Sequence, residues 1–134
     1  VIEKINAQFH AVEINITDQG FPKEVPALKP WENAFTKDPR YEFGFTTSVV
    51  IGPGAKGAFG TSGCGHKEDH PTSPSYHPDR YLEFLDAALE RYRRAVKIAD
   101  DPALAERERA DRLRSLQEEI AEAIKEGARC ARAR

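Results

Sequence analysis

Three of the chain's four histidines, His66, His70 and His77, fall within twelve residues, beside Cys64, one of only two cysteines. A thiolate with imidazoles in a tetrahedral shell is the donor set Zn²⁺ prefers. The run C-x-H-x3-H-x6-H is therefore where a metal would be held. A structural zinc would use all four ligands and tie down the segment. A catalytic zinc, as in a metal-dependent hydrolase, would leave one position open for water and need a base, for which Glu68 stands between the ligands. The spacing follows no finger or ribbon pattern, and Pro71 and Pro74 interrupt it. The plainer alternative is an exposed polar loop whose histidines cluster without binding. A nucleophilic Cys64 would need its thiol pKa depressed by an imidazolium or a helix N-terminus, and no oxyanion-binding pattern accompanies it.

Gly52-x-Gly54-x-x-Gly57 follows the apolar run Ser48-Val49-Val50-Ile51 and matches a dinucleotide fingerprint on paper. That motif works only when a helix N-terminus follows to meet the pyrophosphate. Here Ala58-Phe59-Gly60-Thr61-Ser62-Gly63 follows, without helical periodicity, so the glycines read as a hairpin turn. No Gly-Lys-Ser or Gly-Lys-Thr occurs, which removes the P-loop. Arg91, Arg93 and Arg94 would make a phosphate patch, but acidic residues are interleaved with them throughout.

These candidates sit in front of a helical tail. Leu82, Leu85, Leu89, Tyr92, Val96 and Ala99 recur in steps of three and four, which places them on one helix face. A second stripe follows at Leu113, Leu116, Ile120, Ile124 and Ala128. Two amphipathic helices joined by a short connection cover each other as an antiparallel hairpin. The first starts near Pro78 or Asp79. In Asp100-Asp101-Pro102, Asp101 reads as the cap of the second helix and Pro102 as its first residue, giving helices of roughly twenty and up to about thirty-one residues at 1.5 Å each. On that reading the second helix overhangs the first, and Leu104, out of phase with the stripe, becomes a partner contact. Residues 79–134 carry 13 basic and 13 acidic side chains. They read as solvated faces laced with pairs such as Glu90 with Arg94 and Glu108 with Arg112.

The first 62 residues read as β-rich. Ile5, Ala7, Phe9 and Ala11 alternate with polar residues, and Val12, Ile14 and Ile16 alternate again one residue out of phase, which predicts a bulged strand. Tyr41, Phe43, Phe45, Thr47, Val49 and Ile51 share one face of a second strand, whose cover would be the helical hairpin. A short third strand over 56–61 would fold back on Val49 to Ile51 through Gly52-Pro53-Gly54. Between the first two strands, Pro22, Pro26, Pro30 and Pro39 forbid a long helix and predict an extended connection over 18–40. That connection carries Trp31, an interface anchor if exposed. The alternative is that Trp31 and Phe35, a helical turn apart, staple the loop to its own core.

The expected fold is thus α+β: an antiparallel sheet of two or three strands packed against a C-terminal antiparallel helical hairpin. It forms one domain over 1–134, with a β-rich part (1–62), a Cys/His/Pro loop (63–78) and the hairpin (79–134). With 134 residues and a net charge of −2, nothing draws it toward nucleic acid or an anionic membrane, and no run approaches the roughly 18 apolar residues of a span. Val1 reads as the residue left after initiator methionine removal, with no export signal. Cys64 and Cys130 read as free thiols of a reducing compartment. The function expected is a non-catalytic structural or assembly subunit: a homo-oligomer, a virion-like assembly or an accessory subunit of an enzyme, in the cytoplasm or within a particle. Protein partners or self-association would work through Trp31 and Phe35 with their loop, the exposed sheet edges, Leu104 and the end of the second helix, without cofactor. The alternative is a zinc-binding domain centred on Cys64, His66, His70 and His77.

Overall fold

The computed structural model describes residues 1–13, 20–29, 32, 48–55, 57–62 and 77–124, with the backbone continuing to Gly127. In chain order these form helix α1 (Ile2–Gln8), a 3-10 turn (Pro26–Leu28), strands β1 (Val49–Ile51) and β2 (Ala58–Thr61), and helices α2 (Pro78–Asp100) and α3 (Glu106–Gly127). The two strands pair antiparallel and α2 and α3 both pack on β2, so the architecture is α+β with the C-terminal helices on the sheet.

α2 begins as its sequence dictates: His77 is the extended N-cap, Pro78 takes the first turn where its missing N–H costs nothing, and Asp79 adds negative charge there. Phe84, Leu85 and Ala88 are buried and form the core, with Ile5, Phe9, Val50, Phe59 and Tyr81 packed around them. The covered face is rotated from the expected seam. Leu82 and Leu89 are only half-buried, while Val96 is 39% exposed and Ala99 is exposed. Phe84 and Ala88 face the sheet, whereas Leu85 and Tyr92 belong to both stripes. α3 follows its predicted stripe, with Leu116 and Ile120 buried and Leu113 and Ile124 half-buried. Each buried large side chain contributes about 1.5–3 kcal/mol. The pairs Glu90–Arg94 (3.7 Å) and Glu108–Arg112 (2.6 Å) both form.

The connection between the helices departs from the expectation. Asp101 ends α2 in an extended conformation instead of starting α3. Its carboxylate accepts the Ala103 N–H at 2.9 Å, an Asx turn with Pro102 at the position where its fixed φ suits a turn. The Leu104 N–H reaches the Asp101 carbonyl at 3.4 Å. An Asp-Pro pair serves a turn as well as a helix start, and here the turn wins. Arg109 then reaches back, one terminal nitrogen donating to the carbonyls of Asp101 (2.8 Å) and Leu104 (3.2 Å). α3 therefore opens at Glu106 and is described to Gly127; residues 128–134, where the rest of the expected length would lie, are outside the described residues. The overhang expected at the start of the second helix does not form.

The N-terminal strand is corrected outright: residues 2–8 are helical, with the Ile5 N–H on the Val1 carbonyl at 3.0 Å and the Phe9 N–H on the Ile5 carbonyl at 2.8 Å. The alternation depended on counting alanines as apolar. The larger side chains Ile2, Ile5 and Phe9 are spaced by three and four, and Glu3, Lys4, Ala7 and Gln8 are good helix formers. Ile5 and Phe9 pack on the α2 core, and Lys4 pairs with Asp86 of α2. The second half of that expectation, from Ile14, lies outside the described residues. In the proline-rich connection, the described part is not simply extended: Pro26–Leu28 makes a 3-10 turn that buries Ala27 and Leu28.

β1 and β2 form the expected hairpin. The turn places Gly54 at φ 75° and Ala55 at φ 55°, the left-handed region. The glycine pattern therefore belongs to a strand-to-strand turn, and no helix follows it to receive a phosphate. Pairing runs Val49 with Thr61, Val50 with Gly60 and Ile51 with Ala58, leaving Phe59 as the extra residue of a bulge. The bulge lets Phe59 and Gly60 both meet α2. Phe59 stands edge-on to Tyr92, with ring centroids 5.4 Å apart. Gly60 is so close that a Cβ there would lie 3.0 Å from Ala88 Cβ. The β1 side chain packed against the helical core is Val50. By the pleat, Val49 and Ile51 belong to the opposite face; the rest of the expected apolar side, Tyr41 to Thr47, lies outside the described residues.

Candidate functional site

Of the residues singled out by sequence, Trp31, Phe35, Cys64, His66 and His70 lie outside the described residues, as do Glu68 and Cys130. His77 is exposed at the start of α2, its carbonyl accepting the Tyr81 N–H at 2.8 Å. Among the described residues, no three His, Cys, Asp or Glu side chains are grouped to hold a metal ion. Leu104 is half-buried in the turn before α3, its two backbone groups engaged by Asp101 and Arg109. Two of the three clustered arginines serve the fold. Arg91 donates to the Phe59 carbonyl at 3.2 Å, and Arg94 grips Glu119 with two nitrogens, at 2.8 and 2.9 Å.

The Arg94–Glu119 clamp joins α2 to α3 across solvent. Hydrogen bonding from Arg94 holds the Glu119 carboxyl below its ordinary pKa, and the same bond holds the Arg94 guanidinium above its own. Both side chains are nearly half exposed, so the pair sets register more than it adds stability.

A hydroxyl cluster closes the open end of the hairpin, and neither composition nor spacing announced it. The Ser48 N–H donates to Ser62 Oγ at 2.9 Å, the Ser62 N–H donates to the Ser48 carbonyl at 2.9 Å, and the Tyr81 hydroxyl donates to Ser48 Oγ at 2.7 Å. Ser62 is 1% exposed. The signal available was positional: a serine immediately before β1, another immediately after β2, and a tyrosine one turn into α2.

The Ser48–Ser62 exchange also sets the phase of the ladder. Antiparallel pairs alternate between hydrogen-bonded and non-hydrogen-bonded. Val49, one residue on, therefore turns its N–H and C=O away from β2, toward the outer edge of β1. Among the described residues no strand pairs with that edge. Val49 and Ile51 are half-buried. The arrangement offers backbone donors and acceptors beside β-branched side chains, the elements of strand addition.

The chain matches no family model, no curated protein and no solved structure. Among the described residues no helix is long and apolar enough to cross a membrane.

Proposed function

We propose that this protein is a non-catalytic structural or assembly subunit, a component that functions by associating with other protein chains or with copies of itself. The observation that carries the reading is the outer edge of β1. A two-stranded ribbon is marginal by itself in water. Among the described residues, helix α2 supports this one on the Val50 and Gly60 side. Its other face carries the half-buried Val49 and Ile51, and along its outer edge the main-chain groups of Val49 pair with no strand among the described residues. An apolar edge left open invites uncontrolled pairing, which proteins otherwise avoid with charge, proline or a bulge. The sequence Ser48-Val49-Val50-Ile51 has neither charge nor proline, and the bulge lies on β2. Such an edge suits a chain that is assembled against another.

The charge pattern agrees. The helical hairpin is highly charged yet neutral, which suits solvated outer faces. Sedimentation velocity tests the reading. Concentration-dependent association that Val49→Pro removes supports it, because proline deletes the outward N–H without touching the β1–β2 ladder. A monomer at every concentration, with the variant indistinguishable, counts against it.

A further inference from the structure

We draw no further inference here: the strongest candidate beyond the β1 edge, the apolar side chains of Ile2 and Val12 exposed on and just past helix α1, carries nothing because nothing in the structure shows what covers them.

Discussion

Substituting Gly60 by alanine tests the seat of the sheet on α2 more sharply than any truncation. A Cβ at this position would sit 3.0 Å from Ala88 Cβ and 3.2 Å from Phe84 Cε2. Carbon atoms pack comfortably at about 3.5–4.0 Å. Ala88 is 0% exposed and Phe84 is 8% exposed, and the nearer contact is a methyl fixed to a helix backbone, so relief requires α2 to move. Overpacking of this kind costs about 1–3 kcal/mol. Gly60 does not use the left-handed region, so alanine also restricts the unfolded chain, which returns about 0.4–1 kcal/mol. The net expectation for Gly60→Ala is a loss of about 1–2 kcal/mol, a fall in Tm of roughly 3–5 °C per kcal/mol for a chain of this size. Ala88→Gly alone loses a buried methyl, about 0.8 kcal/mol, and about 0.8–1.0 kcal/mol of helix propensity. The double variant reopens the space, so its loss falls short of the sum by about 1 kcal/mol. Urea unfolding followed by far-ultraviolet circular dichroism reads all three. Gly57→Ala is the control: its Cβ would meet only Phe59 Cε2, at 3.9 Å, and it leaves stability unchanged or slightly raised. Strict additivity of the two substitutions, or a Gly60→Ala protein as stable as the parent, would refute this packing.

Ser62→Ala removes the acceptor of the Ser48 N–H and lowers stability by about 1–3 kcal/mol, whereas Tyr81→Phe removes only the bond to Ser48 Oγ, worth about 0.5–1.5 kcal/mol. The same urea titration should rank them in that order, and a reversed order would contradict the cluster's geometry. In a carboxyl NMR titration Glu119 titrates below an ordinary glutamate, and Arg94→Gln returns it to the ordinary range. Because its folded pKa is the lower one, its contribution is present above the unfolded pKa and is lost as pH falls through the folded value. A Glu119 titration unaffected by Arg94→Gln would remove the clamp. For the cluster of Cys64, His66, His70 and His77, the assembly reading expects less than about 0.2 metal per chain by elemental analysis of untagged protein, and a Tm unmoved by chelator. Stoichiometric zinc with a chelator-sensitive Tm would shift the account to a metal-stabilised domain.

What the residue pattern reveals depends on how many physical signals agree at each element. α2 was legible because Pro78, Asp79 and a three-four spacing point the same way, and α3 because Leu113, Leu116, Ile120 and Ile124 leave little choice of face. The β-hairpin was legible because Gly52-Pro53-Gly54 separates two β-branched or aromatic runs. Over the seven residues of α1 the 2-residue and 3.6-residue periods compete, and the pattern alone favours the wrong one. The larger side chains Ile5 and Phe9, which find the α2 core, decided for the helix. Asp101-Pro102 is ambiguous because one dipeptide serves both a turn and a helix start, and the Arg109 contact that favours the turn is not a local signal.

The candidate site was less legible. The face of β1 that meets the helices turns on Gly60, whose missing side chain admits Ala88 and Phe84. Nothing in the apolar count along Tyr41 to Ile51 shows that Val50, the odd residue of the run, is the one packed against the α2 core. The outward phase of Val49 follows from the Ser48–Ser62 exchange, a contact between residues fourteen apart. Such pairings are products of the assembled hairpin, so an exposed sheet edge is expected from the sequence but which of its groups point outward emerges only once β1 and β2 are in register.

Sedimentation velocity of the intact chain beside Val49→Pro, from low to high micromolar concentration, bears most directly on the claim that this protein works by association through the β1 edge. The parent is expected to sediment as a concentration-dependent oligomer. The variant is expected to be monomeric, with its urea midpoint changed by no more than about 1 kcal/mol equivalent. Two identical monomeric boundaries across the whole range would contradict it.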